Sequence, residues 1–269
     1  MVTKRRNITW FAVMVLLSAS LLNANLTAAA PTQTIEDFNL LLSRPTDHSI
    51  TVNVIPDQGG EISFEYGTAP GVYGQQTSSV SCTADAPVNI VIDGLTTNTR
   101  YYYRLRFRAS SGEVWTLGAE HTFHTQRAPG SAFTFTVIAD SHMSGGGGDV
   151  ALYEKALDNV AEDAPDFHID LGDTFWTDGL TTSSAVNGRY EQQRLYMREV
   201  SPSSALFVTV GNHENEEGWN LDDSPSKAVL SVNARKLYYP NPIPDSFYAG
   251  NTDTAVTAVT GDHLLEDYF

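Results

Sequence analysis

The chain has 269 residues, 41% of them hydrophobic, and carries 16 Lys and Arg against 32 Asp and Glu for a formal net charge of −16. That length and apolar content suit one large or two ordinary domains with real cores, while the charge excludes broad electrostatic attraction to nucleic acid or to an anionic membrane. A single cysteine, Cys82, excludes an internal disulfide framework.

In chain order, Lys4-Arg5-Arg6 leads into an apolar run from Trp10 to Leu22 and then into Ala28-Ala29-Ala30. This is the pattern of a secretory signal peptide over residues 1–30, and the run is too short for a comfortable membrane span. An exported protein, periplasmic or extracellular, is expected.

Residues 36–126 read as all-β. Short runs at Asn39–Leu42, Ser49–Ile55, Glu61–Tyr66, Val88–Ile92, Tyr101–Arg108 and His121–His124 are separated by turn residues such as Asp57-Gln58-Gly59-Gly60 and Asp93-Gly94. That spacing predicts a β-sandwich. Leu95 and the polar turn before Tyr101 resemble the tyrosine corner of fibronectin type III-like sandwiches. In the strand that follows, Tyr101, Tyr103, Leu105 and Phe107 share one face, while Tyr102, Arg104, Arg106 and Arg108 share the other. The arginine row reads as a solvated face.

After the linker Arg127-Ala128-Pro129-Gly130 the pattern changes, and residues 130–269 read as α/β. Strands are expected at Phe133–Ala139, Phe167–Leu171 and Ala205–Val210. Between them, a helix capped by Asp149 carries Val150, Tyr153, Leu157, Val160 and Ala161 on one stripe, and a weaker one spans Arg189–Val200. Strand, helix, strand, helix, strand predicts a parallel sheet with right-handed crossovers. Ligands of such sheets sit beyond the carboxyl ends of the strands. Asp140, His142, Asp173, Asn212 and His213 all fall at those ends.

Two carboxylates, an imidazole and an amide oxygen form a mixed oxygen and nitrogen set suited to first-row metal ions rather than to thiolate chemistry. A carboxylate can bridge two cations, and paired cations are the usual platform for displacement at phosphorus. Taken singly, an Asp or Asn after a strand is a turn or cap residue. The coincidence of three clusters on three strand ends carries the argument.

Asp-x-His at 140–142, Gly-Asp at 172–173 and Gly-Asn-His-Glu at 211–214, in this order, resemble the first three motif blocks of the calcineurin-like metallophosphoesterases. A preceding fibronectin-like sandwich is similar to the architecture of purple acid phosphatases and their bacterial relatives. The resemblance implies phosphate-ester hydrolysis at a binuclear site by a metal-activated hydroxide, with monoesters favoured over diesters and a small phosphate ester as substrate. It implies two metal ions, Fe, Zn or Mn. Asp140 and His142 would bind the first, Asp173 would bridge both and Asn212 would bind the second. His213 would be catalytic, protonating the leaving oxygen or stabilising charge on the phosphoryl group, and Glu214 would give support.

Two departures from the family pattern stand out. Trp176 occupies the position three residues after the bridging aspartate, where purple acid phosphatases place a tyrosine ligand, so a colourless enzyme is expected. The later Gly-His and Gly-His-x-His blocks are also missing, since after Glu214 only His263 remains, and it matches neither. A chain incomplete at its C-terminus is therefore expected, and the competing reading is a non-catalytic exported fragment or degenerate relative acting as a binding module.

Four features stay open. His168 beside Asp170 reads as a hydrogen-bonded structural residue, and Asp178 as pocket lining or a turn. Gly145–Gly148 reads as a close backbone approach or a loop before the Asp149 cap. Residues 216–248, rich in aromatics and prolines, read as a long ordered excursion packed against the domain.

Overall fold

The computed structural model describes residues 34–35, 38–143, 145, 147–174, 176–209, 211–215 and 227–249. The N-terminal part is all-β, with β1 (Thr34–Ile35), β2 (Asn39–Ser43), β3 (Ile50–Ile55), β4 (Gly60–Gly67), β5 (Gln75–Gln76), β6 (Val80–Cys82), β7 (Val88–Ile92), β8 (Arg100–Arg108), β9 (Thr116–Gly118) and β10 (His121–His124). One sheet runs β1-β9-β8-β4-β5, with β10 also on β8 and β6 on β4; the other runs β2-β3-β7.

The alternation expected of β8 is observed. Tyr101, Tyr103, Leu105 and Phe107 are buried and pack with Val52, Val54, Ile90 and Ile92 of the facing sheet. The tyrosine corner also forms, with the Tyr101 hydroxyl accepting from the Thr96 N–H at 2.8 Å. On the outer face the arginines are partnered. Arg108 Nε donates to Glu61 at 2.8 Å, Arg104 pairs with Glu65, and the guanidinium groups of Arg106 and Arg108 lie 4.6 and 4.5 Å from the centre of the Trp115 ring. Strands β5, β6 and β9 are short pieces of two or three partly or fully exposed residues, too short to leave a periodic signal.

The C-terminal part contains β11 (Phe135–Ile138), α1 (Val150–Asp163), β12 (Phe167–Asp170), α2 (Ser183–Met197), β13 (Ala205–Val208), α3 (Asn212–Asn215) and α4 (Lys227–Tyr238). Strands β11, β12 and β13 form the expected parallel sheet, with Ile138 level with Asp170 and Asp170 level with Val208. The Asp149 side chain caps α1 by accepting from the Ala151 and Leu152 N–H groups. Tyr153 and Leu157 of its stripe are buried, whereas Val150 at the first turn is exposed.

Helix α2 starts six residues before the expected Arg189, at a Thr182 cap. Its buried side carries Gln193 and Arg194 beside Val186, Tyr190 and Met197, and these polar residues hide the helical period. Within the 216–248 excursion, residues 227–238 form α4, whose Leu230, Ala234 and Tyr238 join the core under the sheet.

Alternation along the strands gives the sheet two different faces. Leu206 and Val208 pack against the helices, while Ala205 and Phe167 join the sandwich core. Tyr103 of β8 donates to the Pro202 carbonyl at 2.7 Å across the same junction. Arg194 of α2 is fully buried and reaches into the sandwich, with Nε on Asn39 Oδ1 at 2.9 Å, Nη1 on Asn53 Oδ1 at 2.6 Å and a further bond to the Tyr238 carbonyl. Burial lowers its pKa to about 10, so it is charged at neutral pH with neutral oxygens as its partners.

Removing that cation strands several buried acceptors and leaves a cavity. Arg194→Ala is expected to cost about 3–5 kcal/mol in urea denaturation, against about 0–1 kcal/mol for Arg104→Ala on the outer face, where water screens the pair.

Candidate metal centre

The three strand ends bring their polar residues together in one cluster built on strained backbone. Among the described residues, seven non-glycine residues have positive φ; Asp140 at 55°, His142 at 49° and Asp173 at 56° are three of them. Such conformations cost about 1–3 kcal/mol each and persist only where the surroundings over-determine them.

Here the surroundings are visible. Asp140 N–H donates to the Gly172 carbonyl at 3.1 Å and His142 N–H to the Asp173 carbonyl at 2.9 Å, which laces the first loop to the second. The third loop joins through Glu214, whose buried Oε2 accepts from Asp173 N–H at 2.7 Å and Gly211 N–H at 2.8 Å. This is the supporting place expected of it. Asp173 Oδ1 in turn accepts from His213 N–H at 2.9 Å. The approach is so close that a Cβ on Gly211 would stand 2.1 Å from Asp173 Oδ1.

The side chains then define the geometry. His142, Asp173 and His213 each offer one ligand atom, all within 4.8 Å of one another. His142 Nε2 is buried without a hydrogen-bond partner and faces Asp140 Oδ1 at 3.7 Å and Asp173 Oδ2 at 3.8 Å. Those separations are too long for hydrogen bonds. An unpartnered imidazole nitrogen between two carboxylates is a donor set that a cation fits. Asp140 is the outermost member, its side chain 71% exposed, and Asn212 is exposed beside His213 at the start of α3. His263 lies outside the described residues.

Residues 176–178 supply contacts that spacing alone did not reveal. Asp178 Oδ2 accepts from His213 Nδ1 at 2.7 Å, so Asp178 is a partner of the cluster rather than a plain turn residue. Trp176 lies flat on the His213 ring at 3.6 Å between centroids. The glycine run is explained by packing. A Cβ on Gly148 would lie 2.1 Å from the Ser141 carbonyl oxygen, and one on Gly145 would lie 3.0 Å from Trp176 Cδ1.

Beneath the cluster, His168 is the expected structural histidine. Its Nδ1 shares a hydrogen bond of 2.8 Å with Thr136 Oγ1, and burial lowers its pKa to about 4. Asp170 is fully buried, and burial raises its pKa to about 7 despite hydrogen bonds from Gly172 N–H and Thr174 Oγ1, both at 2.9 Å. These bonds brace the turn that presents Asp173. A separate apolar cleft of about 510 Å³, lined by Pro45, Phe133, Phe167, Phe207, Phe247 and Tyr248 among others, contains none of the cluster residues.

The chain thus combines an all-β region with an α/β region whose strand ends carry a group that could hold a metal ion. Residues 133–265 match the model of the calcineurin-like phosphoesterase family. No curated protein matches the sequence. Among solved structures, the fold is similar to that of PhoD, with a TM-score of 0.53 and 16% identity over 80% of this chain and 49% of that one. It is also similar to purple acid phosphatase PPD1 from yellow lupin (Lupinus luteus) seeds, with a TM-score of 0.55 and 15% identity over 79% of this chain and 42% of that one. The chain thus spans half or less of the length of these two structures, and at such identities the likeness is one of fold.

Two outcomes are expected. Gly211→Ala displaces the Asp173 carboxylate and should weaken Mn²⁺ or Zn²⁺ binding in a calorimetric titration about 10- to 100-fold, as loss of a ligand's support does elsewhere. Between the ordinary carboxylate value and about pH 7 the native state keeps a proton on Asp170 that the unfolded chain has released, so this group lowers stability as pH rises through that window. Asp170→Asn keeps the shape and should remove that decline from urea midpoints measured across the window.

Proposed function

We propose that this chain carries the binuclear metal centre of an exported phosphoesterase that hydrolyses small phosphate esters, monoesters ahead of diesters. The observation that carries the reading is the unpartnered His142 Nε2 facing Asp140 and Asp173, with His213 in the same group. Asp140 and His142 would hold one cation, Asn212 the other, and Asp173 both. The chemistry that such cations supply when bound is Lewis-acid polarisation of a phosphoryl oxygen and activation of water.

The remaining steps belong to the protein. Asp178 engages His213 Nδ1, so the proton that His213 delivers is the one on Nε2. Protonation of the departing ester oxygen by that imidazolium is general-acid catalysis, worth about 10²- to 10⁴-fold in rate. Glu214 and the Asp170 turn hold Asp173 against the His213 backbone, so ligand and acid keep a fixed relation. Export rests on the N-terminal basic and apolar pattern. No helix among the described residues is long and apolar enough to cross a membrane.

In the protein supplied with Mn²⁺ or Zn²⁺, Asp173→Ala should abolish hydrolysis of a chromogenic phosphate ester. Asp178→Asn should lower kcat about 10- to 100-fold with little change in KM, because it leaves the cation ligands in place. Activity unchanged by Asp173→Ala would overturn the bridging role.

A further inference from the structure

His213 needs more than one contact to present a proton in a fixed direction. The Asp178 carboxylate engages Nδ1 at 2.7 Å, and a hydrogen bond of this kind tolerates a range of tilts of the ring. A second, flat contact fixes the ring plane. Trp176 provides one: its indole lies at an interplanar angle of 18° to His213 with centroids 3.6 Å apart. The same indole meets His142 edge-on at 5.0 Å and 73°, so one side chain touches both histidines of the cluster.

Trp176 is itself held on several sides. Its carbonyl accepts from Arg189 Nη1 at 2.9 Å, and Gly145 approaches its Cδ1 so closely that any larger residue would press on the indole. The next residue, Thr177, ties the His213 main chain, its N–H donating to the His213 carbonyl at 3.2 Å and its hydroxyl to the same oxygen at 3.1 Å. Three consecutive residues therefore grip His213 through ring face, backbone and ring nitrogen.

We infer that Trp176 is a positioning residue for His213: its indole face restrains the tilt of the imidazole plane alongside the Asp178 contact, and its edge contact with His142 keeps that plane in register with the cation ligands. The inference rests on the phosphoesterase reading for its catalytic consequence but not for its geometry.

The test separates the two. In the Mn²⁺-loaded full chain, kcat and KM are compared for 4-nitrophenyl phosphate, whose leaving group needs no proton, and for β-glycerophosphate, whose alkoxide does. Trp176→Leu should reduce kcat for β-glycerophosphate at least about tenfold more than for 4-nitrophenyl phosphate, with KM nearly constant. Trp176→Phe should recover most of the difference, and His213→Gln should reproduce the same selectivity. Gly145→Ala, which nudges the indole without removing it, should give a smaller loss of the same kind and serves if Trp176→Leu does not fold.

Independently of activity, the His213 ring protons should resonate upfield under the indole ring current, move downfield in Trp176→Leu and return part of the way in Trp176→Phe. Equal losses on the two esters, or ring-proton shifts unaltered by Trp176→Leu, would overturn the positioning role. If the parent protein hydrolyses neither ester, the phosphoesterase reading falls and the ring-proton shifts alone decide whether Trp176 holds His213.

Discussion

The cluster depends on one turn, Gly172-Asp173, held in a conformation that an aspartate would not adopt unaided. Asp173 sits at a φ of 56°, and neighbours engage its N–H, its carbonyl and one carboxylate oxygen. Its N–H is taken by Glu214, its carbonyl by His142 N–H and its Oδ1 by His213 N–H. Asp170 braces the turn from below, and glycine at 211 lets the third loop close against it. His142, His213 and Glu214 are each hydrogen-bonded to that residue. A perturbation of the turn would therefore move ligands contributed by all three strands together.

The sandwich contributes to this arrangement at a distance. Parallel strands need both faces covered, and part of one face of this sheet joins the sandwich core through Phe167 and Ala205. Arg194 ties α2 to β2 and β3, and α2 also supplies Gln193, whose amide donates to Asp170 at 3.3 Å. One helix thus links the sandwich to the buried carboxylate beneath the Asp173 turn. The all-β part acts as a wall that fixes α2, and no chemistry has to be assigned to it. Its arginine row, matched by Glu61, Glu65 and Trp115, is consistent with that role.

Much of this was legible in the sequence because short apolar runs end abruptly in polar residues. The parallel sheet, the Asp149 cap, the tyrosine corner and the convergence of Asp140, His142, Asp173 and His213 all follow from strand period and motif order. What escaped has physical reasons. The start of α2 was masked by buried Gln193 and Arg194; the Asn39 and Asn53 partners of Arg194 are more than a hundred residues away. Helix α4 was hidden among prolines and aromatics that read as loop. The grip of residues 176–178 on His213 spans 35 or more positions, and no local pattern announces it. Positive φ at three non-glycine residues contradicts local preference, and such disagreements between local rule and observed structure are expected to collect at functional sites.

The same strain bears on what the cluster requires. Asp140, Asp173, Asp178 and Glu214 bring four carboxyl groups into one region of a chain whose net charge is already −16. Backbone N–H groups and His213 offset part of their repulsion, through the bonds to Glu214 and Asp173 and the contact with Asp178. His142 Nε2 offers no such relief, because it is buried and has no hydrogen-bond partner between the two carboxylates it faces. A cation seated among these groups would satisfy the nitrogen and screen the carboxylates in one step, which makes ion binding and local folding parts of a single equilibrium. Strained backbone, an unpartnered imidazole and crowded carboxylates each carry a cost alone. Together they are the arrangement expected of a site whose stability is completed by metal.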